Sequence, residues 1–234
     1  MAVSAFPTTQ WTEIRDLRQM SPEGKREALA NFINRYWPAI EACVRASFRG
    51  ISTCDAEEYT QAFVVAKLFE RDLLDVASAS RGRLRDLLRT SIRRFCIDEI
   101  RSRSTGVRRS EISLEHTDAP ASIDPEKAFD ESWARLVIAE AQRRVALEHT
   151  QGFRQVAWRV FELRVLNPCL NGDPIVDYAE LEFEFEVDRR QLRNMLASTK
   201  RTFGYLLRDV ISEYAASESE IDGELKHLMV MSQA

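Results

Sequence analysis

Residues 55–74, DAEEYTQAFVVAKLFERDLL, and residues 83–101, RLRDLLRTSIRRFCIDEIR, decide the fold class. In the first stretch Tyr59, Phe63, Ala66, Phe69 and Leu73 recur at spacings of four and three, which predicts a helix with one buried face. In the second, Leu84, Leu88, Ile92 and Phe95 repeat that pattern. Arg85, Arg89 and Arg93 lie four apart on an adjacent stripe, expected to face solvent or a ligand. Neither stretch alternates apolar and polar residues as a half-buried strand would, and no other segment does so between hairpin turns. The expected fold class is therefore all-α.

Charge separates the two stretches. The first opens on acids, Asp55, Glu57 and Glu58. From Arg81 to Arg109 there are ten arginines against Asp86, Asp98 and Glu99, an excess of seven positive charges in a chain whose formal net charge is −4. Basic charge concentrated in this way suits a polyanionic partner better than general solubility.

The chain has 234 residues, 44% of them hydrophobic and 30% charged, enough for two compact domains and too balanced in sign for wholesale disorder. No apolar run approaches the roughly 18–20 residues of a membrane span, and MAVSAFPTTQW has no basic segment followed by an apolar core. The chain is expected to be cytoplasmic, with no membrane partner. Cys43, Cys54, Cys96 and Cys169 are far apart and are read as reduced thiols. With only His116, His149 and His227 beside them, no metal site and no cofactor is expected. No nucleophile elbow, phosphate-binding loop or Gly-rich dinucleotide turn points to an enzyme.

Along the chain, a first helix is expected over Trp11–Met20, and Ser21-Pro22-Glu23 starts a second in which Pro38 is a candidate kink. Ser52 to Asp55 offers N-caps for the helix that follows. Residues 106–124, within a Ser-, Thr-, Pro- and acid-rich stretch, read as an acidic linker. Asp124-Pro125 then starts a helix with Phe129, Trp133, Leu136, Val137, Ala141 and Val145 inward, and a second domain is expected over residues 125–215. Trp133, Phe153, Trp158 and Phe161 are expected to be packing residues rather than stacking platforms for bases. Asn167-Pro168 and Asn171-Gly172-Asp173-Pro174 mark loops.

Asp177-Tyr-Ala-Glu180 and Asp188-Arg-Arg-Gln191 have the form of capping boxes, so two helices begin eleven residues apart, a helix-turn-helix spacing. Leu192, Leu196, Thr199, Phe203, Leu206 and Val210 form the inner face of the second. Arg189, Arg190, Arg193, Lys200 and Arg201 fall near its start or outside that stripe, where such a frame places contacts to bases and phosphates. Residues 216–234 read as an acidic tail.

The segment DAEEYTQAFVVAKLF resembles the core-polymerase-binding helix of extracytoplasmic-function sigma factors, with residues 55–58 and Gln61 matching its pattern. GRLRDLLRTSIRRFCIDEIR is similar to the promoter-melting helix of that family, and DYAELEFEFEVDRRQLRNMLASTKRTFGYLLRDVI to its C-terminal helix-turn-helix. FPTTQWTEI and GELKHLM resemble flanking segments of a long-chain subgroup. The resemblance covers about residues 10–105 and 125–215. It implies a domain over 10–105, similar to sigma region 2, that docks on core RNA polymerase through Asp55, Glu58, Gln61, Phe63 and Leu68. The same domain would capture the opened downstream promoter element through Arg83, Arg85, Arg89, Arg93, Arg94, Arg101 and Arg103. A region-4-like domain would read the upstream element, and an anti-sigma factor or other regulator is a further candidate partner.

Two features depart from the family pattern. Glu182, Glu184 and Glu186 stand where small or basic residues and glycine are usual, and Ala62 where Glu is usual. Taken alone, the acids at 55, 57 and 58 need do no more than complement the helix dipole, at about 0.3–1 kcal/mol each. A sigma-like adaptor or decoy, binding polymerase or a regulator without reading DNA, is the alternative that the glutamate-rich turn favours.

Overall fold

The computed structural model describes residues 20–48, 51–69, 73, 84–107, 124–148, 153–215 and 217–231. Helices account for its regular structure, and there is no strand among the described residues: the fold is all-α, as the periodicity predicts. In chain order the helices are α1 (Pro22–Ser47), α2 (Thr53–Phe63), α3 (Leu84–Val107), α4 (Pro125–Glu148), α5 (Phe153–Phe161), α6 (Asn167–Asn171), α7 (Tyr178–Phe185), α8 (Arg189–Ser212) and α9 (Glu218–Met231). A π-helical stretch, Val64–Phe69, continues α2, and a second, Glu162–Leu166, joins α5 to α6. None of these helices is long and apolar enough to cross a membrane. Nearly all of the expected first helix, 11–19, and nearly all of the expected linker, 108–123, lie outside the described residues.

The chain divides into two compact units, Met1–Leu136 with Glu213–Ala216, and Val137–Ser212 with Ser217–Ala234. This division differs from the boundary expected at residue 125. The first turns of α4 belong to the first unit because Phe129 and Trp133 fill its core while Glu126 and Asp130 pair with arginines of α3.

Local chemistry accounts for where the helices of the first unit start. The Ser21 hydroxyl accepts the Gly24 amide at 3.2 Å with Pro22 at the first helical position, and Ser52 accepts the Asp55 amide at 3.1 Å. Asp124 caps α4 through the Glu126 amide at 3.0 Å. Helix α1 runs on through Pro38, whose cost in a helix interior, about 3 kcal/mol, is offset by burial of Ala39, Ile40, Cys43 and Val44 just beyond it. The core joins Phe32, Tyr36 and Ile40 of α1 to Phe63 of α2, to Leu84, Leu88, Ile92 and Phe95 of α3, and to Phe129 and Trp133 of α4. Phe63 meets Phe95 edge-on at 5.6 Å, and Tyr36 stacks on Trp133 at 4.6 Å.

Burial sets the alkaline behaviour of this unit. It pushes the Tyr36 hydroxyl up to about 12, which Arg35 beside it opposes, and the Cys43 and Cys96 thiols to about 12 and about 11. Unfolded, these groups ionise near 10 and 9. Between those limits the unfolded chain holds fewer protons than the folded one, so stability falls as pH rises. Urea midpoints should therefore hold steady up to about pH 9 and decline above it. Tyr36→Phe should flatten that decline with little cost at neutral pH, since the buried Tyr36 hydroxyl has no hydrogen-bond partner among the described residues. An alkaline limb identical in Tyr36→Phe would contradict the assignment.

In the second unit the core is Val160, Phe161, Leu166, Leu181, Val187, Leu192 and Leu196, with Val156, Trp158, Phe185 and Phe203 packed against it. Residues 167–171, expected as loop, are helical. Pro168, which has no N–H to donate, follows the π-helical stretch, in which the Asn167 amide reaches back five residues to the Glu162 carbonyl. Gly172 ends α6 in the left-handed region at φ 71°. Residues 218–231, within the expected acidic tail, form α9. It packs on α8 through buried Ile221 and Leu228, and Arg208 of α8 pairs with Glu218 and with Asp222, the latter at 2.8 Å. Burial works against the Glu140 carboxylate, but hydrogen bonds from Arg143 and Arg144 hold it below the usual range.

Candidate functional site

Three surfaces carry the residues singled out from sequence. On α2, Asp55, Glu58 and Gln61 are exposed and follow one another along the helix. Phe63 and Leu68, expected to contact polymerase, are instead core residues, 0% and 1% exposed. The physical reason lies in two apolar doublets, Val64-Val65 and Leu68-Phe69. Only one member of each pair can face inward, and it is Val64 and Leu68 that do. Their neighbours Val65 and Phe69 are left 50% and 48% exposed, so Phe69, expected on the buried face, is at the surface. Residues 55, 58, 62, 65 and 69, three and four apart, thus form one outward stripe that begins acidic and ends apolar. The doublets are the sequence signal that a single-stripe reading passes over.

On α3 the arginines divide between two faces. Arg85, expected to touch DNA, is buried and lies 3.7 Å from the buried Asp130, which makes it part of the packing between α3 and α4. Arg89 is held by three carboxylates: Asp130 at 3.0 Å, Asp86 at 3.3 Å and Glu126 at 3.8 Å. Arg93, more exposed, pairs with Glu126 at 3.0 Å. The remaining face presents Arg94 and Arg101 with Ile97 and Ile100, all exposed. Arg83 and the side chain of Arg103 lie outside the described residues. The two classes of pair differ in energy. Removing one partner of a buried pair such as Arg85–Asp130 costs about 3–5 kcal/mol, whereas a surface pair such as Arg93–Glu126 contributes about 0–1 kcal/mol.

In the second unit both expected N-caps form. Asp177 accepts the Ala179 amide at 2.8 Å, and Asp188 the Gln191 amide at 3.0 Å, so α7 and α8 start eleven residues apart with a short turn between them. Glu182 accepts the Arg189 amide at 2.7 Å and lies 3.5 Å from its guanidinium. It is a second cap on α8 rather than a loose carboxylate beside the basic helix. Arg189 also lies 3.8 Å from Asp177. Arg190, Arg193, Lys200 and Arg201 are exposed along α8, and Tyr205 extends that surface. Arg164 packs its guanidinium 3.8 Å over the Tyr178 ring and donates to the Val176 carbonyl, which fixes the entry to α7.

The turn carries strain. Glu186 has φ 52° and ψ 37°, the left-handed conformation that glycine adopts freely and that costs a side-chain-bearing residue about 1–2 kcal/mol. Glu186→Gly should raise stability by about 1 kcal/mol and remove one carboxylate next to the basic face of α8. Thermal unfolding checks the first effect, and an unchanged or lowered midpoint would show that the side chain has a structural role.

Among the described residues no three His, Cys, Asp or Glu side chains are placed to hold a metal ion, and all four cysteines are free. Comparison with protein-family models, with curated proteins and with solved structures found no match.

Proposed function

We propose that this chain is an alternative sigma factor of the extracytoplasmic-function type, acting by binding rather than catalysis. The observation that carries the reading is the pair of helices α7 and α8 in the second unit. Two side-chain-capped helices start at the expected spacing, and the second presents Arg190, Arg193, Lys200 and Arg201 outward while its other face is core. The stripe at 55, 58, 62, 65 and 69 supports docking on core RNA polymerase, because an acidic and apolar helical surface suits a protein partner. Arg94 and Arg101 beside Ile97 and Ile100 support capture of an opened strand, arginines toward phosphates and aliphatic side chains toward unstacked bases.

The adaptor reading keeps one specific support. Arg85, Arg89 and Arg93 are already matched by carboxylates, and Glu184 and Glu186 remain exposed near α8. Under the sigma reading Asp55→Arg with Gln61→Arg should weaken co-purification with core RNA polymerase while leaving the helical circular dichroism unchanged, because both positions are exposed. Undiminished association would remove polymerase docking from α2.

A further inference from the structure

The ion pairs between α3 and α4 divide into a fixed and a releasable part. Asp130 is buried and holds Arg85 and Arg89, which ties the two helices together. Glu126, one turn earlier on α4, is over a third exposed and pairs with Arg93, itself mostly exposed, and at longer range with Arg89. Its carboxylate therefore sits at the solvent edge of the arginine stripe, where an anion arriving from outside would first meet these guanidinium groups.

We propose that Glu126 is a built-in competitor for a nucleic-acid phosphate at Arg93. A strand reaching this edge of α3 exchanges the carboxylate for a phosphate, so the site is present but partly covered in the free protein. The inference rests on the reading of α3 as a strand-binding helix and adds to it a control on that binding. Exchange is feasible because a solvated pair is easily broken, and a phosphate brings counterion release that the carboxylate does not. Arg89 stays anchored by Asp130 and Asp86, so Arg93 is the residue that changes partner.

The test is binding of a fluorescein-labelled oligothymidylate by the full chain across a salt series, for wild type, Glu126→Gln, Glu131→Gln and Glu126→Gln with Arg93→Ala. Glu131 is a control acid on the same helix, paired with Lys127. Glu126→Gln should bind several-fold tighter with an unchanged salt slope, because Arg93 meets the same phosphate in both complexes and only the competing carboxylate is removed. The gain should be absent in Glu131→Gln and should vanish when Arg93 is also replaced. If wild type binds and Glu126→Gln binds no tighter, or if Glu131→Gln gains as much, the competitor role is wrong while strand binding stands. If neither wild type nor Glu126→Gln binds, the strand-binding reading of α3 falls and the proposal with it.

Discussion

Trp133→Ala is expected to cost the first unit about 3–5 kcal/mol, a large share of the roughly 5–15 kcal/mol by which a domain is stable. Trp133 is fully enclosed by aromatic rings: Tyr36 stacked at 4.6 Å, Phe129 tilted at 5.6 Å and Tyr214 edge-on at 5.3 Å. Its indole Nε1 donates to the Tyr214 hydroxyl at 3.5 Å. Alanine would leave a cavity that three rings of fixed geometry fill poorly. The loss should extend to residues 213–215, held to this unit by Tyr214 and by the buried pair of Arg35 with Glu213 at 3.2 Å. Urea unfolding followed by circular dichroism should show the midpoint falling by about 1–5 M, given slopes of about 1–3 kcal/mol per molar. A loss under about 1 kcal/mol would show that the cluster is not the core of this unit.

The second large effect lies on α8. Arg190→Glu with Arg193→Glu should weaken binding of the full chain to duplex promoter DNA by about 30-fold or more, taking about 1–3 kcal/mol for each lost contact. Both residues are exposed and Arg193 gives up only its position 5.5 Å over the Tyr178 ring, so folding should lose no more than about 1 kcal/mol. The salt dependence distinguishes two kinds of contact. If both arginines meet phosphates, the slope of log affinity against log salt should flatten by about 1.8; if they read base edges, affinity should fall mainly on the preferred sequence. A double variant that binds duplex as tightly as wild type would show that this face of α8 is not the DNA-reading surface, and the adaptor reading would gain.

How legible these surfaces were depended on how many jobs each residue type had. The inner faces of α4 and α8 followed directly from apolar spacing: Phe129, Trp133, Val137, Ala141 and Val145 on one, Leu192, Leu196, Thr199, Leu206 and Val210 on the other, are buried, and only Leu136 and Phe203 of the expected faces are partly exposed. The caps Ser21, Ser52, Asp124, Asp177 and Asp188 were equally readable, because capping is local chemistry within three residues. The α2 surface was not, since Val64-Val65 and Leu68-Phe69 allow two registers and only packing chooses between them. Nor was the fate of Arg85 and Arg89. Their partner Asp130 lies more than 40 residues further along, and periodicity within α3 cannot distinguish an arginine aimed at a carboxylate from one aimed at a phosphate. The glutamate-rich turn changed meaning for the same reason: Glu182 is a helix cap, while Glu186 is a strained residue where glycine would relax the backbone.

The most direct test of the central claim is run-off transcription with core RNA polymerase, the purified chain and a library of genomic promoter fragments. A sigma factor predicts transcripts from a subset of fragments that appear only when the chain is added and disappear with Arg190→Glu and Arg193→Glu. Polymerase that binds the chain yet initiates on no fragment would contradict the account and leave the adaptor in its place.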